Sequence, residues 1–357
     1  MTVSGLARYF LLGRSGLRVS PMCLGTMTFG RERDWGSGED VSREILDRYL
    51  EAGGNFVDTA DMYSDGASET LLGKFLRDSG RRDRVVLATK YTFNASKGDP
   101  NAGGNGRKNL LRALEGSLRR LQTDYVDLYW VHAWDTLTPA EEVMATLDAA
   151  VKQGKVRHVG LSDVPGWYLA RAQTIAQWRG FEPVCALQLE YSLVERSIER
   201  EHVPAAQNLG MAICPWSPLG GGFLSGKYTP EGAGTGRLAA MRGGANPVFQ
   251  KFTERNWKIL GVLREVASVL GRSPAEVALA WAARRPGVVS TIVGARSLEQ
   301  LETNLGALDV EIPAESARRL DEASALDLAH PYVFFGPEIQ ARIKGDASVR
   351  AEPPWYR

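Results

Sequence analysis

One rhythm recurs along the chain: a short apolar run rich in β-branched residues, then a polar loop, then an amphipathic stretch. The apolar runs are VSPMCLGT, GNFVDTA, RVVLATK, YVDLYWVH, VRHVGLS, VCALQLE, MAICPWS and VVSTIVG, and each reads as a strand. Between them lie helical stretches such as SREILDRYLEAG, SETLLGKFLRDSG, RKNLLRALEGSLRRLQ, PAEEVMATLDAAVKQGK and SPAEVALAWAARR. Several close on a glycine, as helices often do. Eight strands alternating with helices, with no Ser/Pro-rich linker, predict an α/β fold, a (β/α)8 TIM barrel forming one domain over residues 1–357. A doubly wound sheet would place G-x-G-x-x-G after an early strand, and the chain has no match. The leading segment RYFLLGRSGLRVSPM predicts an N-terminal β-hairpin turned at GRSG. The Gly-rich segment from Tyr228 to Phe252 predicts a long loop after the seventh strand, of the kind that serves as a lid or stays disordered. The aromatic tail from His330 to Arg357 is expected to pack against the barrel.

Composition narrows the function. The chain is 44% apolar and 24% charged with net charge +1, an ordinary mix for a globular protein with a large core. No basic stripe suggests nucleic acid or an anionic membrane. No apolar run is long enough for a signal peptide or a membrane span. The three cysteines, Cys23, Cys185 and Cys214, fall in apolar runs and read as buried free thiols, which predicts a cytoplasmic protein. The four histidines keep no metal-ligand spacing, so no metal site is expected.

In such a barrel the chemistry lies at the C-terminal strand ends. The residues there are Asp58, Lys90, His132, Ser162 with Asp163, Gln188, Trp216 with Ser217, and Gly294. Four groups fit together without a metal. A tyrosine titrates near pH 10 in solution, too high for an efficient proton donor. A lysine ammonium beside it favours the phenolate, an aspartate holds that lysine charged, and a histidine orients a substrate oxygen. Tyr63, Lys90, Asp58 and His132 supply those parts. Asp61, in the same loop, reads as a turn cap.

The chain resembles the aldo-keto reductase family through GNFVDTADMYSDGASETLLGKFL, VVLATK, DYVDLYWVHAWD, GKVRHVGLSD, LQLEYS, PWSPLGGGFLSGKY and GARSLEQLETNL, in family order from about Arg8 to Leu305. The resemblance implies NADPH-dependent reduction of an aldehyde or ketone, with Tyr63 as general acid, Lys90 and Asp58 tuning it, and His132 positioning the carbonyl. It implies that Gln188, Ser162 and Asp163 meet the nicotinamide carboxamide and that Trp216 stacks on the ring. Thr26 and Met27 touch the cofactor through backbone, as Ser217 and Pro218 do beside Trp216. Leu219, Gly220, Lys227 and Arg237 serve the pyrophosphate, and Gly294, Arg296, Gln300 and Asn304 the adenosine end. Exposed N–H groups of the glycine loop suit an anion, and Arg296 suits a 2′-phosphate, which favours NADP(H) over NADH. Two positions depart from the family pattern: Asp163 replaces asparagine, and Thr303 replaces glutamate.

A redox-sensing NADP(H)-binding subunit resembling potassium-channel β subunits is the alternative, and the resemblance puts asparagine at position 132 in those proteins. A Schiff-base lyase using Lys90 is a third. The partner is a small-molecule carbonyl substrate, with Phe29, Trp134 and Phe335 suggesting an apolar or ring-bearing one; a homo-oligomer stays open.

Overall fold

The computed structural model describes residues 5–30, 36–230, 236–240, 246–345 and 347, without the side chains of 237, 240 and 247. A two-stranded antiparallel hairpin, β1 (Phe10–Leu11) and β2 (Arg18–Val19), comes first. Eight parallel strands follow: β3 (Met22–Gly25), β4 (Phe56–Asp58), β5 (Val86–Tyr91), β6 (Val126–Val131), β7 (Val156–Ser162), β8 (Val184–Glu190), β9 (Ala212–Trp216) and β10 (Thr291–Val293). They neighbour one another in chain order, and β10 returns to pair with β3. Ile213 of β9 bridges Val288 just before β10, its carbonyl accepting the Val289 N–H at 3.0 Å, and so closes the ring into a (β/α)8 barrel.

Parallel strands are covered on both faces, which is why they are apolar almost throughout. All six residues of β5 are buried. The helices that cover them are α1 (Glu39–Glu51), α2 (Ala67–Ser79), α3 (Arg107–Leu121), α4 (Ala140–Lys152), α5 (Gly166–Arg179) and α6 (His202–Leu209). After β9 come the short turn α7 (Arg237–Ala240), then α8 (Glu254–Leu270) and α9 (Pro274–Ala283); after β10 come α10 (Leu298–Gly306), α11 (Ala314–Ala323) and α12 (Pro337–Ile343). Ser273 opens α9 with a reciprocal capping box to Glu276, and Gly80, Gly180, Gly210 and Gly271 end helices in the left-handed conformation.

The core has two layers. One lies between strands and helices. The other fills the barrel and contains Leu12 and Val19 from the hairpin, all three cysteines, Phe56 and Trp130. The hairpin therefore plugs the lower end, where the Arg14 N–H donates to Gly210 O at 2.9 Å. Trp130 is accommodated because its neighbour in register is Gly160: a Cβ there would sit 2.3 Å from the indole. Gly160→Ala should destabilise the protein by about 1–3 kcal/mol through overpacking, read as a lower denaturation midpoint at unchanged slope.

The long segment after β9 is anchored at both ends by rings. Phe223 meets Trp257 at 4.7 Å, Tyr228 meets Phe252 at 5.3 Å, and Phe252 stacks on Trp257 at 5.8 Å. In the tail, Tyr332 donates its hydroxyl to Glu201 at 2.5 Å, while Phe334 and Phe335 are 49% and 54% exposed.

Candidate active site

The polar ends of the barrel strands converge on one cleft of about 790 Å³. Asp58 is the last residue of β4, Lys90 lies at the end of β5, and His132 directly follows β6. Tyr63 comes from the loop after β4. There Ser64 and Asp65 hold positive φ of 47° and 52°, a left-handed kink that costs about 1–2 kcal/mol per residue. Ser64 stabilises the kink by donating its hydroxyl to Phe29 O at 2.9 Å.

Lys90 is wholly buried, and its three protons have three acceptors. Nζ donates to Asp58 Oδ2, to Thr59 O at 2.8 Å and to the Tyr63 hydroxyl at 3.1 Å. Burial opposes the ammonium charge, but Asp58 and Tyr63 outweigh it and hold Lys90 above the ordinary lysine range. Burial pushes Asp58 upward against the pull of Lys90, and the Gln188 amide donates to its other oxygen at 3.2 Å. His132 is driven well below the usual histidine value by burial and by the Lys90 charge, so it is neutral. Its ring meets Tyr63 edge-on at 5.9 Å and Phe93 at 4.9 Å, and its Nδ1 is buried with no partner among the described residues.

Asp61 behaves as a turn residue on one side only. One side of its carboxyl takes the Met62 backbone N–H, while Oδ1 is buried without a partner among the described residues. Burial, helped by Glu69, pushes this carboxyl up to about 7. A raised acid holds its proton more tightly in the folded protein, so its charge costs stability as pH climbs from the unfolded value to about 7. Asp61→Asn should therefore melt higher than the parent at pH 8, by about 2–4 °C, and the gap should close toward pH 4. An equal gap at both pH values would contradict this.

Further round the cleft, Ser162, Asp163, Gln188, Trp216, Ser217, Pro218 and Leu219 line it, as do Met27, Lys227, Gly294, Arg296, Gln300, Asn304 and Thr303. Ser217 sits at φ 52° and accepts the Gly221 N–H at 2.8 Å. Asn304 donates to Gly294 O at 3.2 Å, and Gln300 accepts the Arg296 N–H at 3.0 Å, which ties the start of α10 to the end of β10. Lys227 is held below the ordinary lysine range by burial and by the nearby Arg296 charge.

The remaining expected residues do not all line the cleft. Thr26 lies behind the cleft wall, where its hydroxyl bonds Asp58 O at 3.1 Å and Ser68 Oγ at 2.9 Å. Gly220 is also behind the wall, facing Val194, while Gly221 and Gly222 form the lining. The side chain of Arg237 lies outside the described residues. The glycine loop is no open nest: the N–H groups of Gly220, Gly221 and Gly222 go to Ser217 O, Ser217 Oγ and Leu219 O. Phe29 is core, packed on Phe75 at 6.5 Å. Trp134 packs on Trp167 at 5.4 Å, and neither it nor Phe335 lines the cleft. Two aromatics not singled out from the sequence do line it, Phe249 and Phe93, the latter three residues beyond Lys90. The signal of Phe93 was its place just past the end of a strand that delivers a charged residue.

The model of the aldo/keto reductase family matches residues 21–325. The chain belongs to the aldo/keto reductase family. A norsolorinic acid reductase of Emericella nidulans is 36% identical over 94% of this chain and 86% of its own. An oxidoreductase of Bacillus subtilis, YrpG, is 39% identical over 88% of this chain and 95% of its own. An aryl-alcohol dehydrogenase [NADP(+)] of Phanerodontia chrysosporium is 34% identical over 90% of this chain and 86% of its own. This aldo/keto reductase is thus an enzyme, an oxidoreductase of the carbonyl-reducing kind, and a purely regulatory subunit is not favoured. No helix among the described residues is long and apolar enough to cross a membrane.

Proposed function

We propose that the chain, as one barrel domain over residues 1–357, reduces an aldehyde or ketone to the alcohol with NADPH, and that Tyr63 gives the proton to the carbonyl oxygen. The observation that carries this reading is the third hydrogen bond of Lys90, spent on the Tyr63 hydroxyl at 3.1 Å. As Tyr63 releases its proton, the phenolate it becomes is met by an ammonium already aimed at it, so no reorganisation is needed. Asp58 keeps that ammonium charged and in place. Neutral His132 offers a ring N–H to the same carbonyl oxygen. In the direction of alcohol oxidation Tyr63 takes the proton back. Lys90 is a poor candidate for a Schiff base, since an ammonium held above its ordinary range is no nucleophile.

The residues present fit a phosphorylated dinucleotide. Lys227 and Arg296 are two cations brought close in one cleft, and neither makes an ion pair with another described residue. That arrangement favours an anion between them, with phosphate suited to the guanidinium fork. Met27, Ser162, Gln188, Trp216, Ser217 and Pro218 would hold the nicotinamide half, Leu219 and Lys227 the pyrophosphate, and Gly294, Arg296, Gln300 and Asn304 the adenosine end. Bound there, the reduced nicotinamide supplies the hydride. Phe93, edge-on to His132 at 4.9 Å, and Trp216 both line the cleft that holds Tyr63 and His132, which agrees with relatives named for aryl alcohols and norsolorinic acid. We assign an aromatic or ring-bearing carbonyl substrate, and a cytoplasmic location in keeping with three buried free thiols.

Fluorescence titration tests this. The parent should bind NADPH more tightly than NADH. Arg296→Met should weaken NADPH binding roughly tenfold, the worth of a charge-assisted contact, and leave NADH nearly unchanged. Binding of neither dinucleotide would end the proposal.

A further inference from the structure

Asp163 closes β7 in a conformation that non-glycine residues seldom adopt, at φ 44°. Its backbone is fixed on both sides: its N–H donates to Gln188 O at 3.2 Å, and its carbonyl accepts the Trp134 N–H at 3.4 Å. This points the carboxyl across the end of β8 toward β9. There Oδ1 accepts the indole N–H of Trp216 at 3.1 Å. Trp216 is the last residue of its strand, with the strained Ser217 after it, and its ring is only partly buried. The bond to Asp163 is thus the polar tether of a large ring that lines the cleft.

We propose that Asp163 is a positioning residue for Trp216, fixing the tilt of the indole that walls the nicotinamide end of the cleft. The inference rests on the cofactor reading above. A charged acceptor makes the tether stronger than the amide usual at this position in the family.

The charge state of the tether follows from its surroundings. Desolvation by the strand ends around it pushes the Asp163 carboxyl upward; the Trp216 N–H opposes this, Glu190 on β8 adds to it, and Lys90 on β5 and the Ser162 hydroxyl pull it down. Glu190 is offset by Lys251 at 2.8 Å, and Asp58 is occupied by Lys90. His132 is neutral. Asp163 is itself exposed along the cleft, which limits that push in the free protein. The tether should therefore strengthen as pH rises and the carboxyl ionises.

The test begins with the free protein. The indole ¹H–¹⁵N resonance of Trp216, recognised by its loss in Trp216→Phe, should shift with pH as the Asp163 carboxyl ionises. In Asp163→Asn it should stay fixed. NADPH affinity is the second measurement. Asp163→Gly suits the left-handed backbone and removes only the carboxyl; it and Trp216→Phe should each weaken NADPH about tenfold, the worth of one hydrogen bond to a charged group. The double variant should be no weaker than the worse single variant, and Asp163→Asn should recover most of the affinity. A Trp216 resonance that does not move with pH, or losses that multiply in the double variant, would overturn the proposal. Failure of the parent to bind any nicotinamide dinucleotide would end the cofactor reading, while the resonance, read without ligand, would still decide the tether.

Discussion

Tyr63→Phe should lower kcat for an aromatic aldehyde by about 10³-fold, within the range typical of general acid catalysis, and leave NADPH affinity within about threefold of the parent. The loop geometry makes the substitution clean. The left-handed residues are Ser64 and Asp65, not Tyr63, so phenylalanine inherits the same backbone. What disappears is one hydroxyl, and with it the acceptor for the third proton of Lys90. That lone loss should cost about 1 kcal/mol of stability, far too little to unfold the barrel. The carbonyl oxygen then has His132 to bond it and no proton to take. Steady-state rates beside a fluorescence titration settle the matter: full turnover in the variant would remove Tyr63 as the acid, whereas loss of NADPH binding with it would show that the hydroxyl serves the cofactor instead.

Much of this was legible because of how a parallel barrel is buried. A strand covered on both faces is mostly apolar, so a titratable residue directly after its longest apolar run marks its functional end. Asp58 after NFV, Lys90 after VVLAT and His132 after YWV are each such a break. The N-terminal hairpin was legible too, because GRSG separates two short extended runs, though its place as a plug was not. The misplaced residues share another cause: their surroundings come from distant parts of the chain. Phe29 looks like a pocket residue from its place after β3, but the chain turns back so that Phe29 pairs with Ser37, and Phe75 of α2 receives the ring. Trp134 follows the His132 strand end, yet the start of α5 brings Trp167 against it. The glycine loop announces freedom of φ but not where its N–H groups go, and Ser217, at φ 52°, captures two of them. The Asp163 to Trp216 bond joins residues 53 apart across an intervening strand, and no local pattern encodes it.

Lys90→Met should cost the protein both stability and turnover, and a second change at Asp58 then separates the two effects. Methionine fills nearly the same volume without charge, so the barrel keeps its packing. Asp58 is then left buried with no cation, and breaking a buried pair on one side costs about 3–5 kcal/mol. The sign of the pH dependence follows. Burial already pushes Asp58 upward against the pull of Lys90, and without Lys90 only lesser hydrogen bonds, such as that from Gln188, oppose the push. An acid with a raised folded value takes up its proton in the folded state first, so its penalty is present above the unfolded value near 3.9 and fades as pH falls toward it. The stability deficit of Lys90→Met should be largest at pH 8 and shrink toward pH 5, measured by denaturant unfolding at each pH. Adding Asp58→Asn should then recover most of the stability, since no uncompensated charge remains, while turnover stays at least 10²-fold down because Tyr63 still lacks its ammonium. A double variant no more stable than Lys90→Met would mean that the pair is not what holds this end of the barrel together. Recovered turnover would mean that Tyr63 does not need Lys90 to release its proton.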